Sequence, residues 1–225
     1  MNYVIRRART PDVRAIAGLV NQNVASRRLL GKATVTLYED IQEFWVAERG
    51  GDGAVVGCGA LHVMWEDLAE IRTIAVHSGC QGHGIGHRLV AALLDSARTV
   101  GVRRVFVLTF AVRFFGQHGF TEIDGTPVSP EVYAELLRSY DEGVAEFLDL
   151  DRVKPNTLGN TRMLLHLSRR GERRQSRRSC WAAGRRGRGT ERSSSAGSMA
   201  VRNGDGPVSA TVPYLRRYLA QVRNR

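Results

Sequence analysis

Apolar residues recur at two different spacings along this chain, and the alternation between them outlines the fold. Val4 to Arg7 reads as a short strand. Thr10-Pro11-Asp12 then opens a helix, with Thr10 as its cap and Pro11 at its first position, and Val13, Ile16, Ala17 and Val20 share one face. Residues 25–33 are basic and break the pattern. A second helix is expected from Thr34 or Val35 to Glu43, with Leu37, Tyr38 and Ile41 on one side. Strands follow over Phe44–Glu48, Val55–Trp65 and Glu70–Val76, separated by the Gly/Asp turn Arg49–Ala54 and by Glu66-Asp67. Connections this short predict an antiparallel meander. Leu89, Ala92, Leu93 and Ala97 return to helical spacing, and Arg104–Thr109 is again an apolar, β-branched run. A helix between two strands predicts that they run parallel. Beyond lie a short helix over Arg113–His118, a strand over Phe120–Ile123, a helix over Pro130–Ser139 and a closing strand over Arg162–Leu167. The sum is an α+β domain: a mixed, mostly antiparallel sheet flanked by helices.

The one parallel crossover carries the chemistry. Gln81-Gly82-His83-Gly84-Ile85-Gly86 stands between the strand Ile71–Val76 and the helix that begins near His87. The first amides of a helix have no partner inside it and lie at the positive end of its dipole, which favours anions. Glycines let main chain approach a phosphate closely. Two glycine-loop templates fail. A dinucleotide fingerprint starting at Gly82 would need glycine where His87 stands, and a P-loop would need Lys and Ser/Thr where His87 and Arg88 stand. Gln-x-x-Gly-x-Gly remains, read as a diphosphate cradle.

Charge divides the chain unevenly. Residues 1–167 hold 18 Lys and Arg against 19 Asp and Glu, a net of −1, whereas residues 168–225 hold 15 against 3, a net of +12. The chain's overall basicity therefore says nothing about the domain. From Ser168 onward apolar periodicity disappears, so a disordered basic tail is expected. It lacks interleaved aromatics for base stacking, which argues against a nucleic-acid arm beyond non-specific attraction. Cys58, Cys80 and Cys180 are odd in number and form no CxxC pair, so neither a disulfide framework nor a zinc knuckle is indicated. With no leader-like start and no apolar run near 18 residues, a cytoplasmic protein with no membrane partner is expected.

The loop resembles the coenzyme A pyrophosphate loop of the GNAT superfamily of N-acetyltransferases. Phe114-Phe115-Gly116-Gln117-His118-Gly119-Phe120 resembles the aromatic-x-x-x-Gly-Phe segment of the same superfamily. A nearer resemblance is to N-acetylglutamate synthases in their short form without a kinase domain. It is carried by Leu29-Leu30-Gly31-Lys32, Cys58-Gly59-Ala60-Leu61, Glu70–Val76, Arg104–Thr109 and Gly159-Asn160-Thr161-Arg162, and it spans residues 3–167. It implies the acyl-CoA N-acyltransferase fold, acetyl-CoA as cosubstrate, and acetyl transfer to L-glutamate or L-glutamine as the first step of arginine biosynthesis. Oligomeric state stays open, a homodimer included. Other small amines or a protein N-terminus are alternative acceptors.

The resemblance also implies roles. Glu70 would be the base, and its apolar neighbours Ala69 and Ile71 would raise its pKa. Phe115 replaces the tyrosine that often protonates the departing thiolate, which leaves Thr109 as a hydrogen-bond donor or an ordinary strand threonine. Ile74, Ala75 and Val76 would meet the pantetheine arm, with Gln81, Gly82, His83, Gly84, Ile85, Gly86 and Phe115 completing the cofactor site. A dicarboxylic substrate asks for cations and hydroxyls, for which Lys32, Arg72, Thr161 and Arg162 are candidates. Gly159 stands where the fused enzymes carry an arginine, which leaves the choice between glutamate and glutamine open. His62 reads as a packed or hydrogen-bonded histidine. His83 and His87 are four apart but have no third ligand nearby, so no metal is expected.

Overall fold

The computed structural model describes residues 2–25, 31–148 and 160–168. Their strands form one seven-stranded sheet. In chain order the elements are β1 (Tyr3–Arg7), α1 (Val13–Ala25), α2 (Thr34–Glu39), β2 (Phe44–Arg49), β3 (Val55–Trp65), β4 (Leu68–Val76), α3 (Ile85–Val100), β5 (Arg104–Thr109), α4 (Val112–Gly116), β6 (Thr121–Glu122), α5 (Pro130–Leu136), α6 (Glu142–Phe147) and β7 (Thr161–His166). Across the sheet the order is β1-β2-β3-β4-β5-β7-β6. All neighbours are antiparallel except β4 and β5, which α3 connects as a parallel pair.

Helices cover both faces. Val13, Ile16, Leu19 and Val20 of α1 and Leu37 of α2 bury against Val46, Cys58, Ala60 and Ala75. On the same face, Tyr133 and Leu136 of α5 and Val144 and Phe147 of α6 close over Leu68, Phe106 and Leu164. On the other face, Val90, Leu93, Leu94 and Ala97 of α3 pack on Leu61, Ala69, Ile71, Val105 and Val107. Gly59 makes that approach feasible, because a Cβ there would lie 2.4 Å from Ile74 Cδ1 and 3.1 Å from Leu93 Cδ1.

Several boundaries differ from the sequence reading for local reasons. The first helix is preceded by a 3-10 turn over Thr10–Asp12, and its cap is Arg9, whose N–H donates to Asp12 Oδ2 at 2.7 Å; Thr10 is not the cap. The second helix stops at Glu39 and a separate 3-10 turn holds Ile41–Glu43. β4 begins two residues early, at Leu68, α5 ends at Leu136, and α4 and β6 are shorter than expected. Helix α6 was not expected at all. Its N-cap is Asp141, whose Oδ1 accepts the Val144 N–H at 2.9 Å. The signal was present: Val144, Phe147 and Leu148 follow Asp141 at helical spacing. The tail from residue 169, the basic segment 26–30 and the stretch 149–159 lie outside the described residues, and with them the expected disordered tail and Gly159.

Two features open the sheet at its centre. The β4–β5 register runs only from Leu68–Arg104 to Glu70–Phe106. Past that point β4 pairs on with β3 and β5 pairs on with β7. In β4 the register against β3 shifts between Cys58–Ala75 and Ala60–Arg72, a bulge that includes Thr73, which has φ 60. One extra residue resets the alternation, so Ala75 lies on the α1 face although Leu68 marks even positions as facing that side earlier in the strand.

Candidate active site

A cleft of about 720 Å³ fills the gap between the diverging strands. One wall is β4 from Glu70 to Val76 and the other is Val107 to Phe110 at the end of β5. At one end it meets Gln81, Gly82 and the first residues of α3, Gly84 to His87. Gly82 (φ 78) and Gly84 (φ 74) adopt the left-handed backbone that favours glycine, and Gly84 is the N-cap of α3. The main chain of a sixteen-residue helix therefore begins at the cleft wall with no side chain interposed at its cap. Gln81 Nε2 donates to Val76 O at 3.3 Å, tying the loop back to β4. His83 does not line the cleft; its Nδ1 lies 2.9 Å from Gln81 O. His87 pairs with His118, Nδ1 to Nε2 at 2.9 Å, and its ring lies 4.7 Å from that of Phe114.

Glu70 lies where the two strands part company. It is 4% exposed, and its Oε2 has no hydrogen-bond partner among the described residues. Burial pushes its pKa up to about 7; Arg72 works against that rise, while Glu146 and Asp141 add to it. Thr109, at the end of β5, is buried and also lines the cleft. Its Oγ1 accepts the Ala111 N–H at 2.9 Å, so its own hydroxyl proton is left to donate elsewhere. Phe115 is buried and packs edge-on against Phe114 and Phe120 while contributing to the cleft wall.

The opposite end is built from charged side chains. Arg72, with 8% of its side chain exposed, donates to Asp141 at 2.9 and 3.0 Å and to Glu43 at 3.0 Å, and lies 3.4 Å from Asp40. Lys32 approaches Asp40 at 3.9 Å and lines the cleft. Burial raises the pKa of Asp40, with Glu43 adding to the effect. For Asp141, Arg72 overcomes the effect of burial and holds the carboxyl below its ordinary range. His62 Nδ1 lies 2.6 Å from Glu43 Oε1 and 2.8 Å from Arg72 Nη2. One nitrogen cannot both donate to the carboxylate and accept from the guanidinium. Burial opposes charge on the ring, but Glu43 outweighs it and the His62 pKa is raised.

Of the residues singled out from sequence, Glu70, Thr109, Lys32, Arg72, Ile74, Ala75, Val76, Gln81, Gly82, Gly84, Ile85, Gly86 and Phe115 border this one cleft. His83, Thr161 and Arg162 do not. Thr161 pairs with Thr109 in the β5–β7 register. Arg162 donates to the carbonyl oxygens of Glu146 and Phe147 and lies over the rings of Phe106 and Phe147, fastening the C-terminal turn of α6 to the sheet. Sequence reasoning missed Gly143 and Glu146, which α6 brings to the cleft three residues apart on one face, and Asn160.

Comparison with known proteins fits this geometry. The acetyltransferase (GNAT) family model matches residues 30–120. The amino-acid acetyltransferase of Mycobacterium tuberculosis is 63% identical over 165 residues, which is 73% of this chain and 94% of that protein. The amino-acid acetyltransferase of Aeromonas salmonicida is 32% identical over 127 residues, 55% of this chain, and the chain spans only 28% of its length. A solved M. tuberculosis structure in complex with CoA and NLQ superposes with a TM-score of 0.71 at 63% identity, covering 73% of this chain and 99% of that one. The N-acetylglutamate synthase of Neisseria gonorrhoeae, solved with coenzyme A and N-acetyl-glutamate, gives a TM-score of 0.60 at 26% identity over 75% of this chain and 36% of that one. With a relative at 63% identity matched over nearly its whole length, the chain belongs to the acetyltransferase (GNAT) family.

Proposed function

We propose that the protein is an acetyl-CoA-dependent amino-acid N-acetyltransferase whose acceptor is the α-amino group of L-glutamate, with L-glutamine as the nearest alternative. The observation that carries this reading is the Glu70 carboxyl, buried with an oxygen unpartnered among the described residues, in the same cleft as the glycine-rich start of α3. The diphosphate of the cofactor would rest on the amides at Gly82–Gly86, and its pantetheine arm would run along the free edge of β4 at Ile74–Val76, pairing as an added strand does. The CoA and N-acetyl-glutamate named for the gonococcal relative and the CoA named for the mycobacterial one support this choice of ligands.

In the reaction the substrate ammonium gives a proton to Glu70, directly or through a water. The free amine attacks the thioester carbonyl, and the tetrahedral intermediate collapses as its C–S bond breaks, the nitrogen gives up its second proton, and the departing CoA sulfur takes up a proton to leave as the thiol. A carboxyl with a pKa of about 7 is ionised often enough at neutral pH to accept that proton. The Thr109 hydroxyl is proposed to donate a hydrogen bond to the sulfur, a task Phe115 cannot perform; its unused proton and its position in the cleft wall support this. Lys32 is proposed to meet a substrate carboxylate. Arg72 already serves three carboxylates, so it shapes the pocket more than it grips the ligand.

Free-thiol release from acetyl-CoA with a panel of amino acids, polyamines and peptides tests the reading. Release should be fastest with L-glutamate or L-glutamine, and Glu70→Gln should lower kcat by roughly 10²–10⁴-fold. No release with any amino acid would end it. Residues 1–167 are proposed to hold the whole activity, with 168–225 a basic appendage. A chain ending at Leu167 should keep its specific activity, and a large loss would overturn that division.

A further inference from the structure

Helix α6 carries a glycine where a helix gains nothing from one. Gly143 is the second residue of α6, and its φ lies outside the left-handed region, so no backbone need explains it. Alanine is the better helix former at such a position. What explains it is space. A Cβ on Gly143 would lie 2.7 Å from Glu70 Oε2, 3.1 Å from Asp141 Oδ1 and 3.2 Å from Arg72 Nη1. Real Cβ atoms do not approach a carboxylate oxygen to 2.7 Å, so something would have to move.

The helix is poorly placed to be what moves. Its N-cap Asp141 is held by Arg72 through two hydrogen bonds, of 2.9 and 3.0 Å. Its last carbonyls are held by Arg162. Phe147 is fully buried and stacks edge-on against Phe106 with ring centres 5.0 Å apart. Fixed at both ends, α6 would pass the strain to the Glu70 side chain, whose flexible end borders the cleft.

We propose that Gly143 is a positioning residue: its missing side chain lets the first turn of α6 lie directly against the Glu70 carboxyl, keeping Oε2 dry and the group fixed at the cleft wall. The inference rests on Glu70 being the base. It assigns Gly143 no contact with substrate or cofactor; Gly143 acts through Glu70.

Gly143→Ala tests it. The methyl group should push the carboxyl toward the cleft, where water reaches it. A misplacement of that size should lower kcat by about tenfold to a hundredfold, with KM for acetyl-CoA unchanged. The acidic limb of the pH–rate profile should move to lower pH, since a hydrated carboxyl ionises more easily. A merely structural glycine would change thermal stability and leave that limb in place. Glu70→Asp withdraws the carboxyl by one methylene, so it should cost less in the Gly143→Ala background than in the wild-type chain. Wild-type kcat and an unmoved limb for Gly143→Ala, or strictly additive losses in the double variant, would overturn the proposal. Should Gly143→Ala fail to fold, the double variant decides alone: it folds if the collision is the cause and stays unfolded if it is not. The two readings fail separately. Full activity in Glu70→Gln removes the base itself, whereas an inactive Glu70→Gln beside a wild-type-like Gly143→Ala removes only the positioning role.

Discussion

The two ends of the cleft are made of different material. At the Gln81–Gly86 end the working surface is main chain: two left-handed glycines and the open amides of a sixteen-residue helix. At the Glu70 end it is side chain, drawn from β4, α6 and the segment before α2, and Arg72 is hydrogen-bonded to a residue 69 positions away in the sequence. Main chain at a helix start is set by six consecutive residues and is insensitive to most of their side chains. A side-chain cluster depends on every member, and on the order in which distant segments dock. Mutation should therefore be costly and varied in kind at the charged end, and mild at the glycine end except where a substitution alters the backbone.

The largest effect should come from Glu70, and it should separate activity from stability. Its carboxyl has a folded-state pKa raised from 4.5 to about 7 by burial. A raised pKa means the folded chain holds the proton more tightly than the unfolded one does. That contribution is complete below pH 4.5 and is lost as pH rises through about 7. The difference is on the order of 3 kcal/mol. Glu70→Gln mimics the protonated form, so it should raise the melting temperature of the ligand-free protein at pH 8 and leave it nearly unchanged at pH 4.5, while abolishing most of the turnover. A melting temperature that moved equally at both pH values would show that Glu70 is not the titrating group.

Arg72 comes next. Removing its charge with Arg72→Met strands the carboxylates of Asp141 and Glu43, and loosens the cap of α6. Breaking such a partly buried network costs about 3 kcal/mol, less to the extent that water reaches the stranded groups. Arg72 also holds the Glu70 pKa down, so its loss should move the acidic limb of the pH–rate profile upward, opposite to the shift expected for Gly143→Ala. Chemical denaturation reads the first effect and the rate profile the second. If the limb stayed in place, the charged end would not be acting on Glu70 as a unit.

The same contrast explains what the sequence revealed. The glycine loop, its strand and its helix are local, and six residues with their flanks sufficed to place them. The meander β2-β3-β4 and the parallel β5 followed from connection lengths. Glu70 was recognisable through the family resemblance, which puts a carboxylate at the start of the strand before that loop. The tasks of Arg72 and Arg162 were not legible, because a basic residue in an apolar strand reads the same whether it meets a ligand or a neighbouring helix. Arg72 meets Asp141, and Arg162 meets the carbonyls that end α6. Both partners lie on a helix that the apolar pattern signalled only faintly. Nor does any local pattern announce the bulge at Thr73, which resets the alternation along β4.

The smallest effects should lie at the glycine end, and they sharpen the comparison most. Gly84→Val would force a β-branched residue into φ 74 at the cap of α3, a strain of roughly 1–2 kcal/mol, so KM for acetyl-CoA should rise by about tenfold with kcat preserved. Gln81→Ala and His83→Ala alter side chains in the same loop without touching its backbone conformation. The Gln81 amide contributes one hydrogen bond of 3.3 Å to Val76 O, and His83 faces loop carbonyls outside the cleft. An exposed hydrogen bond of that length is worth less than about 0.5 kcal/mol, so each alanine should change KM for acetyl-CoA by no more than about twofold. Titration of the ligand-free variants with coenzyme A checks this directly. A tenfold loss in either alanine variant would mean that the loop grips its ligand with side chains, and the division between a main-chain end and a side-chain end would no longer hold.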